Sequence, residues 1–268
     1  MHPILFTIPE FLPFIGGRPI HVYGLMIALA FLLGMKWVKR ESEREELDVN
    51  KVMDMFFYLM IAGLAGSRIF FVMHSVNNFW ADPLVLFRVW EGGLVFQGGV
   101  IMSTLVAFIF VWYHKLPYFK TFDVFMPALS IGHGIGRLGC FFAGCCYGKQ
   151  CDPNFPLALT FPDIENNIAP VGIPLYPTQF MEIGGELIIF SLLVLLRHKK
   201  PFNGAVFLTY LILYSILRSI TELFRGDLDR GFVIDNLLSN GQFISILTIV
   251  FSITCWVVLA KRKKAKTT

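Results

Sequence analysis

The chain of 268 residues is 55% hydrophobic, with 28 phenylalanines, only 16% charged residues and a mean hydropathy of +0.63. A water-soluble domain of this size carries roughly 25% charged residues, so this surface could not be wetted. The same numbers exclude disordered, fibrous and small disulfide-scaffold classes. The chain reads as an integral membrane protein.

The N-terminal stretch has no basic opening and carries Pro3, Pro9 and Pro13, so it reads as an interfacial segment rather than a cleaved signal. Seven apolar runs then follow, at 20–39, 52–73, 97–113, 122–143, 179–196, 204–224 and 241–260. A helix needs about 20 residues to cross a bilayer, and continuous runs exclude a β-barrel, whose strands alternate. No internal repeat stands out. The expectation is an all-α, polytopic, single transmembrane domain over 1–268 with seven helices.

Lysine and arginine alternate sharply between the connections. Lys36, Lys39, Arg40, Arg44 and Lys51 follow the first run, Lys115 and Lys120 the third, and Arg197, Lys199 and Lys200 the fifth. The tail adds Lys261, Arg262, Lys263, Lys264 and Lys266, while the other side holds Arg18, Arg88, Lys149, Arg225 and Arg230. The positive-inside rule gives an outer N-terminus and an inner C-terminus, with 143–178 as an external cap. The basic tail is a topology signal against anionic lipid, with no nucleic acid implied.

That orientation puts the polar residues of the spans at one depth. Tyr23 and Gln97 open spans one and three, and Glu182 and Glu186 lie early in span five. Arg68, His133, Arg137, Arg218 and Glu222 lie late in the outward-running spans two, four and six. Ionisable groups cost at least ~2.5–3.5 kcal/mol each in hydrocarbon and face an interior or a wet cavity. Three arginines and three glutamates therefore predict one chamber in the outer half of the membrane. Tyr214, Arg218 and Glu222 share one helical face, as do His133, Arg137 and Cys140. Each Arg–Glu pair taken singly serves equally well as helix glue. Taken together they suit an anion gripped by guanidinium forks, such as a phospholipid phosphate.

Glycines add a second feature. Gly63, Gly66, Gly132 and Gly136 suit close helix packing, whereas Gly98 and Gly99, just after Gln97, suit a backbone that a headgroup approaches closely.

The run His133-Gly-Ile-Gly-Arg-Leu-Gly-Cys-Phe-Phe-Ala-Gly-Cys-Cys-Tyr-Gly148 resembles the signature of the bacterial prolipoprotein diacylglyceryl transferase family. His-Val-Tyr23-Gly-Leu-Met, Glu91-Gly-Gly-Leu-Val-Phe-Gln97-Gly-Gly99, Pro177-Thr-Gln179-Phe-Met-Glu182 and Tyr214-Ser-Ile-Leu-Arg218-Ser-Ile-Thr-Glu222-Leu-Phe-Arg225 follow the family's order. The resemblance implies transfer of the diacylglyceryl group of phosphatidylglycerol to the lipobox cysteine thiol of preprolipoproteins, with release of glycerol phosphate. It implies an enzyme among the lipids of the bacterial cytoplasmic membrane, acting on lipobox signal peptides. It assigns Arg137 and Arg218 as the essential arginines and Gly148, Tyr23, Tyr214 and Glu222 as family positions, with no cofactor. We expect Arg137, Arg218, His133, Gln97 and Tyr23 to carry catalysis. Arg68, Gly98, Gly99, Cys140, Gly148, Gln179, Glu182, Tyr214, Glu222 and Arg225 are expected to bind substrate.

The chain departs from the family pattern at the usual span-three histidine, here Gln97, and at the signature's Asn and Glu, here Cys140 and Cys145. Glutamine takes no proton at ordinary pH. Either His133 serves as base, or a thiol with pKa about 8.5 supplies enough thiolate unaided and His133 is structural. His21, His74, His114 and His198 are weaker candidates. Cys140, Cys145, Cys146 and Cys151 gather after span four, while Cys255 sits apart in span seven. Zinc calls for C-x₂₋₄-C plus a second pair, so the expectation is no metal, with small-residue packing as the ordinary role. A Cys145–Cys151 disulfide is permitted on an oxidising face.

Two other readings are a paralogue with the same lipid chamber but another acceptor or no turnover, motivated by Gln97, and an anion transporter. The second is opposed by the missing repeat and by inner span halves that carry only Asp54 and Asp123.

Overall fold

A computed structural model describes residues 3–7, 9, 16, 17, 19–75, 82–88, 93–163, 168–226, 231–234 and 237–267. Seven helices carry the fold: α1 (Val22–Arg44), α2 (Val49–Ser75), α3 (Phe96–Tyr113), α4 (Tyr118–Phe142), α5 (Thr178–Leu196), α6 (Ala205–Glu222) and α7 (Asn240–Thr267). Each coincides with one apolar run of the sequence. Six of them, all but α4, are long and apolar enough to cross a membrane. α4 has the length, at 25 residues, but carries Lys120, Asp123, His133 and Arg137.

Burial is inverted relative to a soluble protein. Ile244, Val250 and Phe251 on α7 and Leu195 on α5 are exposed, while Ser130, Thr178, Gln179, Glu182 and Glu186 are buried. Only an apolar solvent makes that arrangement favourable. The protein is a mostly helical, multi-pass membrane protein.

Two small antiparallel ribbons depart from the all-α expectation. β1 (Ile4–Thr7) pairs with β2 (Pro19–His21), and β3 (Phe232–Ile234) with β4 (Leu238–Ser239). With two to four residues per strand, they are too short for a period-two pattern to show in the sequence. Glu91, Gly92, Arg18 and Arg230 lie outside the described residues.

The chain divides into two compact units, Met1–Trp37 with Phe125–Thr268, and Val38–Val124. In the second, α2 and α3 pack backbone against backbone. A Cβ on Gly98 would fall 2.4 Å from the Gly66 carbonyl oxygen, and one on Gly99 would fall 2.4 Å from Ser67 Oγ. Gly98 and Gly99 thus serve the close approach of α2 and α3. By contrast Gly132 and Gly136, expected to pack tightly, have their nearest neighbours at 3.9 and 3.8 Å.

In the first unit, the described residues of 143–178 pack around a small apolar cluster of their own. Phe161, Ala169 and Leu175 are buried together, with Phe141, Tyr147 and Leu159 against them. Backbone bonds from Lys149 N–H to the Phe224 carbonyl (2.7 Å) and from Gly226 N–H to the Tyr147 carbonyl (3.1 Å) tie the cap to the end of α6.

Candidate active site

The charged residues of α4, α5 and α6 meet in the first unit. Ser130 Oγ donates to Glu186 Oε2 at 2.7 Å, and Glu186 Oε1 faces His133 Nδ1 at 2.7 Å. Arg137 Nε, one turn on, donates to His133 Nε2 at 3.2 Å and also pairs closely with Glu182 Oε2. Glu182 Oε1 lies 3.8 Å from Arg218 Nη1, and Arg218 Nη2 pairs with Glu222 at 2.7 Å. The Tyr214 ring stands edge-on to His133, with centroids 5.3 Å apart.

The spacing explains why these side chains converge. His133 and Arg137 are four residues apart on α4, as are Glu182 and Glu186 on α5 and Arg218 and Glu222 on α6, so each helix presents one two-residue stripe. Gly185, where a Cβ would collide with Leu217, lets α5 and α6 approach closely.

Two consequences are chemical. The acidic frame holds Arg137 through Nε, which pairs with Glu182. Arg218 Nη1 is buried without a hydrogen-bond acceptor. A buried guanidinium donor with spare capacity suits a phosphate, which accepts forked hydrogen bonds. The second consequence concerns His133, both of whose ring nitrogens are engaged. Nδ1 faces Glu186, while Nε2 faces Arg137 and lies 3.8 Å from Glu182 Oε2, so the imidazole is wedged between the arginine and two carboxylates.

The other expected residues are distributed as follows. Tyr23 opens α1 in the same unit, its ring against Gly139. Arg225 is buried beside the cap, its backbone bridged to Gly148. Gly148 itself is pressed between Tyr176 and Gly226. Gln97 is exposed on the first turn of α3, in the second unit. Arg68 is engaged with backbone in the second unit. Its Nη2 donates to the carbonyls of Val85 (2.6 Å) and Arg88 (2.9 Å), and its Nη1 to that of Gly93 (3.1 Å). With its fork spent on three backbone carbonyls, Arg68 clamps the α2–α3 connection.

Three cysteines come together at the end of α4. α4 ends in a Schellman turn, with Cys145 N–H bonded to the Cys140 carbonyl at 3.0 Å and Gly144 N–H to that of Phe141 at 3.2 Å. Gly144 takes the left-handed φ of +67° that the turn requires. The chain doubles back, and the sulfurs of Cys140, Cys145 and Cys146 come within 4.8 Å of one another. Cys151 stands apart, buried in the cap, and all five cysteines are free. Hydrogen bonds from Cys140 and Cys145, with Arg137 and Arg225 nearby, draw the Cys146 thiol below its ordinary range. Hydrogen bonding to Cys140 and Cys146 pushes Cys145 above it.

Residues 9–258 match the family model for prolipoprotein diacylglyceryl transferase. The chain belongs to the prolipoprotein diacylglyceryl transferase family. Among its relatives, the phosphatidylglycerol–prolipoprotein diacylglyceryl transferase of Clostridium tetani is 30% identical, covering 94% of this chain and 96% of its own length. The enzyme of the same name from Shigella boydii is 34% identical over 95% of each chain, and that of Acinetobacter baylyi 30% over 91% and 89%. The similarity thus spans the α4–α6 charge cluster and the cap of this family member alike.

Proposed function

We propose that the protein transfers the diacylglyceryl group of phosphatidylglycerol to the lipobox cysteine of preprolipoproteins, releasing glycerol phosphate. The observation that carries this reading is the gathering of Arg137 and Arg218 on Glu182, with Arg218 Nη1 buried and lacking a hydrogen-bond acceptor. The thiolate attacks the glyceryl carbon as the C–O bond to phosphate breaks, leaving a phosphate dianion. Arg137 and Arg218 stabilise the charge as it develops on the phosphate oxygens. Glu182 and Glu222 orient the two guanidiniums, Glu186 and His133 hold Arg137, and Tyr214 packs against His133.

In this reading seven helices cross the bacterial cytoplasmic membrane, with the N-terminus outside and α4 as the seventh span. A charged helix is tolerated there because its partners on α5 and α6 neutralise it. The chamber opens to the outer leaflet, 143–178 caps it, and the lipobox signal peptide reaches it from the same side.

The test incubates purified protein with phosphatidylglycerol and a lipobox peptide and measures the product masses. A peptide heavier by one diacylglyceryl group, together with free glycerol phosphate, is the expected result. An unchanged peptide, from protein that still binds the lipid, would overturn the reading.

A further inference from the structure

Among the described residues, the sulfurs of Cys140, Cys145 and Cys146 lie within 4.8 Å of one another, and the charge cluster uses none of them. Packing accounts for a small side chain at each position but not for three sulfurs turned together. The backbone that carries them is fixed from several sides. The Schellman bond joins Cys145 to Cys140, Gln179 Nε2 donates to the Cys145 carbonyl at 2.9 Å, and Thr178 Oγ1 donates to the Cys146 carbonyl at 2.8 Å. Thr178 and Gln179 are both 1% exposed, so the clamp is built into the protein interior. Cys146 is held at φ +58°, a left-handed conformation that a residue with a Cβ adopts only when its surroundings impose it.

Distances and charge agree on what such a site takes. Zinc binds thiolate at about 2.3 Å in a tetrahedron, which sets its sulfurs about 3.8 Å apart, within reach of side-chain rotation from the present spacing. Three thiolates around a divalent cation carry one net negative charge, and Arg137 and Arg225 are the cations that act on Cys146. Three ligands also leave the fourth tetrahedral position open, as in catalytic rather than structural zinc sites.

We propose that Cys140, Cys145 and Cys146 form a three-thiolate site for a thiophilic divalent cation of the zinc class, whose fourth position accepts an exogenous thiol. The second half rests on the transferase reading, in which the acceptor is a thiol. Coordination replaces S–H by S–metal and releases the proton to water. The later attack forms S–C and breaks C–O, so no oxidant or reductant enters.

The test uses the full chain, purified in detergent under reducing conditions, stripped with a chelator and titrated with Co²⁺. The expected result is a thiolate-to-cobalt charge-transfer band that saturates at one Co²⁺ per chain and disappears when Zn²⁺ is added. Cys146→Ser should weaken Co²⁺ binding at least tenfold, and Cys255→Ser should leave it unchanged. A short peptide with one cysteine should alter the visible cobalt bands, and its serine counterpart should not. No charge-transfer band from fully reduced wild-type protein overturns the site without reference to any variant. A cluster that loses two titratable thiols until reductant restores them is a disulfide, which also overturns it. Cobalt bands indifferent to the thiol peptide overturn the open position alone. The transfer assay on the same preparation judges the transferase reading separately.

Discussion

Glu182 bridges two arginines, its Oε2 paired with Nε of Arg137 and its Oε1 3.8 Å from Nη1 of Arg218. The carboxylate fixes where both guanidiniums stand. Lysine at 137 keeps the charge but has neither plane nor prongs. Arg137→Lys and Arg218→Lys should each reduce transfer by about 10²–10³-fold, the usual loss for one oriented charge-stabilising donor. Insertion into the membrane should be unaffected. Rates are measured by mass spectrometry on the lipobox peptide, and a wild-type rate for Arg137→Lys would make the arginine a helix tie.

Glu182 itself bridges Arg137 and Arg218, so its removal leaves two half-buried cations short of a partner. Glu182→Ala should cost about 3–5 kcal/mol of stability, the range for breaking a buried pair from one side. Glu182→Gln, which retains shape and an acceptor oxygen, should lose less stability yet still lose turnover. Thermal unfolding and transfer rate, measured on both variants, separate the two effects. Equal stability losses would deny Glu182 its bridging role.

Much of this arrangement is legible in the sequence because membrane solvent makes polar residues conspicuous. The seven helices follow from apolar run length, and the stripes His133/Arg137, Glu182/Glu186 and Arg218/Glu222 follow from four-residue spacing. What spacing does not reveal is where a chain turns back or what a fork is already holding. Arg68 looks like Arg137 in sequence, but its prongs are filled by Val85, Arg88 and Gly93 carbonyls some 17 to 25 residues away. Cys140 and Cys145 stand at C-x₄-C spacing, but their meeting with Cys146 depends on the left-handed turn at Gly144, which no second cysteine pair announces.

Gly98 and Gly66 touch backbone to backbone, so a methyl group at either has nowhere to go. Gly98→Ala should lower the unfolding temperature and the yield of folded protein, through loss of the α2–α3 contact. Protein that does fold should keep its KM for phosphatidylglycerol. A raised KM at unchanged unfolding temperature would instead return Gly98 to the headgroup.

The proposed orientation makes the cap accessible from outside. Single cysteines introduced between 152 and 163 in intact cells or right-side-out vesicles should react with a membrane-impermeant maleimide, and one placed at 199 should not. Labelling only after permeabilisation would reverse the topology and place the charge cluster at the inner leaflet.

His133 supplies the sharpest test of how the site works. Its Nδ1 faces Glu186 and its Nε2 faces Arg137, and in the proposed function it holds the arginine rather than taking a proton. A general base speeds a thiol reaction by about 10²–10⁴-fold, and that benefit shrinks as pH approaches the thiol's own pKa, near 8.5. A positioning residue has no such dependence. His133→Ala should therefore lose turnover by a factor that stays constant from neutral pH to above the thiol pKa. His133→Asn should recover part of it, because an amide also offers one donor and one acceptor. The measurement is rate against pH for wild type and both variants on one thiol peptide. A deficit that vanishes at high pH would restore His133 as the base, and would require that Arg137 release Nε2 when substrate binds.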